Sequence, residues 1–360
     1  MLNCQATPIK HGLFLLRYPE PAASPRVRLL QYIPFLLANG WTIDTQSLYS
    51  EKYVTRLYET GKRSVVKFFF GTANRAAFLV AQRLAQYDVI VTQQDVLPWL
   101  PFGIERLLCH GYARFVIDMD DAWFEGYGGV RMLRKKYPAL LARMAQINVG
   151  NRTLAEYAAR YSERVNIIPT VVDTERYPPK TDYTAHGRLV VGWIGTPVTA
   201  RYLSGCAEAL KRAATEIPFV LRCVGAHRNY QLPGLEVELV PWDLKSEAEI
   251  IRTFDVGIMP LIDEPFAHGK CGYKLIQYMA AGVPALGTAI GANRDIISEG
   301  INGLLASSAE EFAEKLVALL RNECLRARIG PVGRQTVEKS FSLRSQQGKF
   351  IESLERAARF

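Results

Sequence analysis

Two lysines and a glutamine in the second half of the chain have the types and spacing to bind an anion. Lys270 and Lys274 stand four residues apart in the segment FAHGKCGYKLIQYMAAGVPALGT, and Gln277 follows three residues later. On one helix this spacing places all three on the same side, with the lysines at the helix start. The macrodipole disfavours cations there unless an anion such as a diphosphate is bound. The alternative is a solvated helix face with two ordinary lysines.

A second anion-binding candidate is the loop in LVVGWIGTPVTARYL, which follows an apolar run. Gly195 permits a close backbone approach, and Thr196 offers a hydroxyl and an N–H. Arg201, near the start of the next predicted helix, has the geometry to pair with a phosphate. An ordinary strand-to-helix turn with a surface arginine remains the alternative.

Both candidates follow short apolar runs that alternate with helical periodicity, a pattern typical of parallel strands joined by crossover helices. The runs cover residues 12–18, 41–48, 87–93, 114–121, 146–151 and 165–170, then 189–195, 219–225, 235–242, 256–261, 284–288 and 303–306. Six runs in each half predict an α/β protein with two Rossmann-like, doubly wound parallel sheets. Ligands of such sheets bind at the carboxyl ends of the strands, so we expect a cleft there between the two domains.

The domain limits follow from composition. Residues 167–187 are rich in proline and polar residues and predict a linker. We therefore expect an N-terminal domain over 1–170 and a C-terminal domain over 171–342. Residues 343–360 predict an amphipathic C-terminal helix, with packing back onto the N-terminal domain as one option.

Charge and cysteine content narrow the class of protein. The chain has 44 Lys+Arg against 35 Asp+Glu, a formal charge of +9, which favours an anionic partner. Its six cysteines form no CxxC pair and indicate isolated thiols in a reducing cytoplasm. The N-terminal run GLFLL is too short for a membrane span or a signal sequence. No nucleic-acid module is present, and no GxGxxG follows the first strand of either half, which disfavours a dehydrogenase.

The order strand, anion loop, helix and strand over 256–288 resembles the nucleotide-sugar site of glycosyltransferases with the GT-B fold, specifically the large retaining family four. IQYMAAGVPAL is similar to that family's EAMAAGVPVV helix, and segments 165–179, 242–261 and 292–306 are also similar. The resemblance covers most of the chain. It places Gln277 where the family usually has a glutamate that holds the donor ribose, and Gly269 where it has a second glutamate.

The resemblance also assigns roles in the first half. The loop ASPRVRLLQY would face the acceptor or the donor phosphates, and Ser24, Arg26 and Arg28 suit an anionic acceptor or the leaving diphosphate. Exposed arginines at a helix start are the alternative.

Asp118, Asp120 and Asp121 at the end of a predicted strand look like the DxD metal motif of the other glycosyltransferase fold. Because the phosphate-binding candidates lie in the other half, we expect no metal and no cofactor. Asp120 and Asp121 are then candidates for contacts to sugar hydroxyls, for orienting the acceptor nucleophile, or for a helix N-cap.

These features and the resemblance together predict a metal-independent glycosyltransferase, and the resemblance implies that it retains the anomeric configuration. It would move a sugar from a UDP- or GDP-type nucleotide donor to a hydroxyl of a glycan or glycolipid in polysaccharide or glycolipid synthesis. Arg201, Lys270 and Lys274 would stabilise the leaving diphosphate. A GT-B epimerase or hydrolase of nucleotide sugars and a noncatalytic partner subunit, the latter motivated by the missing glutamates, stay open.

The segment GGVRMLRKKYPALLARM mixes apolar residues with Arg131, Arg134, Lys135 and Lys136. It either contacts an anionic membrane surface or forms a plain solvated helix. We expect a cytoplasmic protein and leave association with the inner face of the membrane open.

Overall fold

The computed structural model describes residues 10–61 and 64–360, and these fall into two compact units. The first unit takes the described residues of 1–55, 63–169 and 347–360. The second takes those of 56–62 and 170–346.

The first unit is built on a six-stranded parallel sheet in the order β2-β1-β3-β4-β5-β6. Its strands are β1 (Lys10–Leu16), β2 (Trp41–Ser47), β3 (Val89–Gln93), β4 (Phe115–Met119), β5 (Gln146–Val149) and β6 (Val165–Ile167). All residues of β3, β4 and β5 are buried, as expected for central parallel strands covered on both faces.

The helices of this unit are α1 (Ala23–Arg28), α2 (Ile33–Ala38), α4 (Val65–Ala81), α5 (Phe102–Leu108), α6 (Trp123–Gly128), α7 (Lys136–Leu141) and α8 (Arg152–Ala159). Helix α3 (Glu51–Thr60) and the C-terminal α17 (Leu343–Ala358) belong to it in part, over residues 51–55 and 347–358. Helix α17 packs on this unit. Its Phe350 ring stacks on Tyr32 with centroids 4.2 Å apart, and the Ser353 hydroxyl donates to Asn148 Oδ1 over 2.7 Å.

The second unit has its own six-stranded parallel sheet in the order β12-β11-β10-β7-β8-β9. Its strands are β7 (Leu189–Ile194), β8 (Phe219–Val224), β9 (Val237–Val240), β10 (Val256–Met259), β11 (Ala285–Thr288) and β12 (Leu304–Ala306). Its helices are α9 (Ala200–Gly205), α10 (Ala207–Glu216), α11 (Glu247–Arg252), α12 (Pro265–His268), α13 (Tyr273–Ala280), α14 (Asn293–Ile296), α15 (Ala309–Arg321) and α16 (Glu323–Ser340).

Every strand predicted from an apolar run is present, and the predicted fold class is confirmed. Within the described residues, Cys109, Cys206, Cys223 and Cys324 are free thiols, and Cys4 lies outside them. In the part of the chain that the structure describes, no helix combines the length and apolar character needed to cross a bilayer.

Candidate functional site

The second sheet has its topological switch point between β7 and β10, where ligands of open parallel sheets bind. β10 pairs with β7 only at Val256 and Gly257. Beyond them the Tyr278 hydroxyl bridges the strands. It accepts the Ile194 N–H over 3.1 Å and donates to the Ile258 carbonyl over 3.1 Å. The strands therefore separate where the predicted anion site begins, and Tyr278 fixes their separation.

The loop after β7 is tightly closed around Gly195. A Cβ at this position would lie 2.5 Å from the Trp193 ring and 2.7 Å from Thr199 Oγ1. Gly225, which follows β8 with a φ of +77°, approaches equally closely, since a Cβ there would lie 2.3 Å from the Gly195 carbonyl oxygen. The Thr196 N–H, predicted as a phosphate donor, instead donates to Thr199 Oγ1 over 2.9 Å. Gly195 thus shapes the loop, and Thr199 holds it.

The predicted helix start at Lys270 is wrong. Helix α13 begins at Tyr273, and its N-cap is Gly272 in the left-handed region with a φ of +64°. A Cβ at Gly272 would lie 2.2 Å from Ile296 Cδ1, so both conformation and space favour glycine there. Lys270 lies in the loop between α12 and α13, and Lys274 is the second residue of α13. The common helix face proposed for Lys270 and Lys274 does not exist.

Both lysines nevertheless lie beside aromatic rings near the switch point. Lys274 Nζ is 5.6 Å from the centroid of the Trp193 ring, which belongs to β7. Lys270 Nζ is 5.7 Å from the Tyr202 ring and 5.0 Å from the Phe266 ring. The aromatic rings position these cations by contacts within about 6 Å, typical of cation–π interactions.

Arg201 contacts Tyr202, the residue whose ring lies beside Lys270. Its Nη2 donates to the Tyr202 hydroxyl over 2.8 Å and forms an ion pair with Glu264. The Tyr202 hydroxyl donates to Glu264 Oε1 over 2.6 Å. Burial and this hydrogen bond hold the pKa of Tyr202 above its ordinary value. Glu264 therefore offsets part of the positive charge of Arg201.

Gln277 lies in the interior of the second unit rather than on an exposed helix face. Its side chain is 3% exposed, and its Nε2 donates to the Tyr177 hydroxyl over 3.0 Å. That hydroxyl donates to Glu247 Oε1 over 3.1 Å, and the Trp242 indole donates to Glu247 Oε2 over 2.7 Å. Desolvation, together with the charge of Glu247, raises the pKa of Tyr177 well above its ordinary value. Gln277 is thus one end of a buried hydrogen-bond chain.

Arg201 lies in the first turn of α9, Lys270 in the loop between α12 and α13, and Lys274 in the first turn of α13. All three are in segments that follow β7 and β10, whereas Gln277 is buried in the interior. Three cations lie in this region with two carboxylates, Glu264, which pairs with Arg201, and Asp263, which lies 2.6 Å from His268 Nε2, so its formal charge is positive. The first turn of α13 has no side-chain cap, so its N–H groups add to the positive end of the macrodipole. The arrangement suits an anion.

In the first unit, predicted residues meet at the ends of β3 and β4. The Ser24 hydroxyl donates to Asp120 Oδ2 and accepts from Gln93 Nε2 over 2.5 Å. Gln94 Nε2 donates to Asp120 Oδ1 over 2.9 Å, although Gln94 has a φ of +62°, which costs about 1 kcal/mol or more for a non-glycine residue. The Asp121 carbonyl accepts the Trp123 N–H over 2.9 Å. Asp120 is therefore held by two polar side chains.

Arg26 and Arg28 were predicted to meet an anionic acceptor or the leaving diphosphate, with exposed arginines at a helix start as the alternative. Both side chains are buried instead. Arg28 Nε and Nη2 donate to Asp118 over 3.0 and 2.6 Å, and its Nη1 donates to the Ile168 carbonyl over 2.7 Å. Its side chain is 2% exposed and that of Asp118 is 1% exposed. Arg26 Nη1 donates to the Glu20 carbonyl over 3.4 Å. Arg28 therefore joins β4 to the end of β6 inside the unit.

Lys136, predicted as part of a basic surface, is also buried. Its ammonium donates to Asp95 Oδ2 over 2.6 Å and to the Leu97 carbonyl over 2.6 Å, and it lies 2.7 Å from Glu105 Oε2. Burial favours the neutral acid, but Lys136 and Arg17 outweigh it and lower the pKa of Asp95. Burial raises the pKa of Glu105. This cluster anchors the loop after β3.

Sequence reasoning missed residues that directly follow strands. Arg17 follows β1, and Gln94 and Asp95 follow β3. Their positions after apolar runs were a usable signal. Tyr202 and Trp193 carried none, because aromatic residues within a strand or helix read as core.

Across the described ranges, no group of three or more His, Cys, Asp or Glu side chains is arranged to hold a metal ion. Asp118 of the DxD-like motif is engaged by Arg28.

The match to a known protein family lies within the second unit. Residues 188–322 match the family model described as glycosyl transferases group 1. The match covers 135 of the 360 residues of the chain. A phosphatidyl-myo-inositol mannosyltransferase of Mycobacterium leprae is 35% identical over 100 residues, which is 27% of this chain and 25% of that protein. The match thus spans about a quarter of the curated relative. The resemblance stated from the IQYMAAG segment is confirmed for this domain.

Solved structures extend the likeness to both units. A sucrose-phosphate synthase from Thermosynechococcus elongatus superposes with a TM-score of 0.75 at 17% identity, over 97% of this chain and all of that one. A glycosyltransferase from Rickettsia africae gives 0.69 at 16% identity, over 97% and 98% of the two chains. HepE of Anabaena in complex with UDP-glucose gives 0.70 at 13% identity, over 96% and 99%. The chain has the GT-B fold.

Proposed function

We propose that the protein is a glycosyltransferase that uses a UDP- or GDP-type nucleotide sugar and transfers the sugar to a hydroxyl of a glycan or glycolipid. The observation that carries this proposal is the convergence of Arg201, Lys270 and Lys274 beside the switch point of a group 1 domain. The similarity to HepE, whose structure contains UDP-glucose, supports a nucleotide-sugar donor.

The three cations provide what the chemistry needs. Negative charge builds up on the leaving diphosphate as the glycosidic bond breaks, and fixed positive groups stabilise that charge without reorganisation. Lys274 and the uncapped first turn of α13 would bind the phosphates from one side, and Arg201 with Lys270 from the loops. No metal is needed in this scheme, and retention of the anomeric configuration is part of the proposal.

In the first unit, Asp120 and Ser24 are the residues that we propose to contact the acceptor or the transferred sugar, together with Asp121. Asp120 and Ser24 are only half-buried, and Gln94 orients the Asp120 carboxylate. Arg26 and Arg28 are better described as structural, because their guanidinium groups are buried against internal partners. The setting would be cytoplasmic synthesis of a polysaccharide or glycolipid.

Transfer assays test this function. Purified protein is incubated with labelled UDP- and GDP-sugars and with glycan or lipid-linked acceptors, and product is followed by mass spectrometry. We expect acceptor-dependent product whose anomeric configuration, read by NMR, matches that of the donor. Donor turnover without any acceptor would instead identify the epimerase or hydrolase alternative.

A noncatalytic partner subunit is a second candidate, because Gln277 replaces the family's glutamate and its amide is engaged with Tyr177. It predicts that glycan synthesis in cells is unchanged by Lys270→Ala together with Lys274→Ala. Loss of synthesis with a stably folded double variant would exclude it.

A further inference from the structure

Helix α4 turns an apolar face toward solvent. Val65, Val66, Phe69, Phe70 and Val80 are each 63–71% exposed. Their spacing places them on one side of the helix, together with exposed Ala73, Ala77 and Ala81 and the polar Asn74. An ordinary surface helix has the opposite arrangement.

The inner side of α4 explains why it cannot simply rotate. Arg75 is 1% exposed and donates to the Leu16 carbonyl over 2.7 Å and to the Gln46 carbonyl over 2.9 Å. A Cβ at Gly71 would lie 2.6 Å from the Leu48 carbonyl oxygen, so the helix packs closely on the chain there. These contacts fix the apolar side outward.

Neighbouring segments extend the apolar surface. The three successive connections β2 to β3, β3 to β4 and β4 to β5 all run in the same direction across the sheet. Because such crossovers are right-handed, their helices lie on one face of the sheet. Helix α4 packs against α5, and α5 packs against α7. Further exposed apolar side chains on α5 and before α7 are Ile104, Leu107, Val130 and Met132.

The adjoining helices α3 and α6 carry the exposed acids Glu51, Glu59 and Glu125. The surface formed by residues 64–83, 101–110 and 129–144 has exposed charges of one sign. Its exposed cations are Arg83, Arg106, Arg131, Arg134, Lys135 and Arg143. Residues 64–83 and 129–144 contain no Asp or Glu, and the acid within 101–110, Glu105, is buried against Lys136. We call α4, α5 and residues 129–144 the basic apolar face.

We propose that the basic apolar face binds the surface of an anionic lipid bilayer. Exposed Phe and Val side chains would enter the interface between headgroups and acyl chains, and the cations would meet lipid phosphates. Pairing with a second copy is disfavoured, because a twofold interface would bring the same cations together. This proposal does not depend on the transfer activity, since no residue of the face belongs to the proposed donor site.

Vesicle flotation tests the proposal. Full-length protein is mixed with vesicles of phosphatidylcholine alone or with 30% phosphatidylglycerol, at 0.1 and 0.5 M NaCl. We expect binding to the anionic vesicles, weakened at high salt, and little binding to neutral ones. Phe69→Ser with Phe70→Ser, and separately Arg134→Glu with Lys135→Glu, are each expected to weaken binding about tenfold or more.

Matched controls are Ile301→Ser and Lys339→Glu in the second unit, both exposed in the protein. These should bind like the wild type, and circular dichroism should show all variants folded. The proposal would be overturned if the wild-type protein bound neither kind of vesicle. It would also be overturned if the variants of the basic apolar face bound vesicles as well as the controls do. Conversion of a dimer into a monomer by the Phe variants without any vesicle binding would identify a protein interface instead. Nucleotide binding by the same variants separates this outcome from failure of the proposed function.

Discussion

The carboxyl ends of the two sheets carry similar residue types but use them differently. In the first unit, Arg28 and Lys136 are almost fully buried and paired with Asp118, Asp95 and Glu105. In the second unit, Arg201, Lys270 and Lys274 remain partly exposed around aromatic rings, and the carboxylate paired with Arg201 is Glu264.

This difference separates structural charges from charges available to a ligand. In a buried ion pair, each charged group has lost its water and is compensated by the other group. Removing one of the two leaves an uncompensated buried charge. A half-exposed cation beside a ring keeps its charge and part of its hydration, so it can meet an anion at low cost. Four substitutions, in order of decreasing expected effect, test this division.

Lys136→Met should destabilise the first unit most. The change leaves Asp95 and Glu105 buried without their shared cation, and we expect a loss of about 3–5 kcal/mol in the free energy of unfolding. Urea unfolding followed by fluorescence and circular dichroism measures it. The matched control is Lys135→Met, which changes the exposed neighbouring lysine. Its free energy of unfolding should stay within about 0.5 kcal/mol of that of the wild type. Equal stability of the two variants would break the contrast between the units.

Lys274→Met should mainly affect chemistry. Loss of one preformed group at the leaving diphosphate is expected to lower the transfer rate by about 100-fold, equal to about 2.7 kcal/mol. The unfolding midpoint should change little, because the side chain is only half-buried. Lys245→Met, at an exposed position of the same unit, is the control. A Lys274 variant with wild-type transfer would remove this residue from the site.

Gln277→Glu introduces the residue that the family usually has. In this protein it replaces a donor to the Tyr177 hydroxyl, which already donates to Glu247. A second carboxylate there should cost about 1–3 kcal/mol of stability without increasing transfer. Thermal unfolding and the transfer assay measure both, with the exposed Gln335→Glu as control. Faster transfer in a stable variant would show that position 277 contacts the donor.

Glu264→Gln should have the smallest effect. Removing this charge leaves Arg201 less compensated, so binding of UDP, measured by calorimetry, should become about threefold tighter. Stability should change by less than about 1 kcal/mol, as for other exposed ion pairs. Glu249→Gln, which removes an exposed pair with Arg252, serves as control. Weaker UDP binding would assign Glu264 a direct role in holding the donor.

The strands and their order of appearance were predictable, because buried parallel strands are continuous apolar runs that stand out between amphipathic helices. The candidate anion site was predictable in part. Gly195 and Arg201 follow β7 as expected, and Lys274 lies in the first turn of α13.

Other features depend on partners far away in the sequence. Arg28 lies 90 residues from Asp118, and Lys136 lies 41 residues from Asp95, so local patterns predicted exposed cations where the fold buries them. The start of α13 depends on Gly272 adopting a left-handed conformation against Ile296, which residue types alone did not indicate.

The most direct test of the account is binding of nucleoside diphosphates to the second unit's site. Thermal unfolding and calorimetry compare the wild type with the double variant Lys270→Ala, Lys274→Ala in the presence of UDP, GDP and their sugars. The account predicts that at least one nucleotide stabilises the wild type, by about 2.7 kcal/mol at 100 times its dissociation constant, and stabilises the double variant much less. The absence of stabilisation by every nucleotide, or equal stabilisation of both proteins, would contradict it.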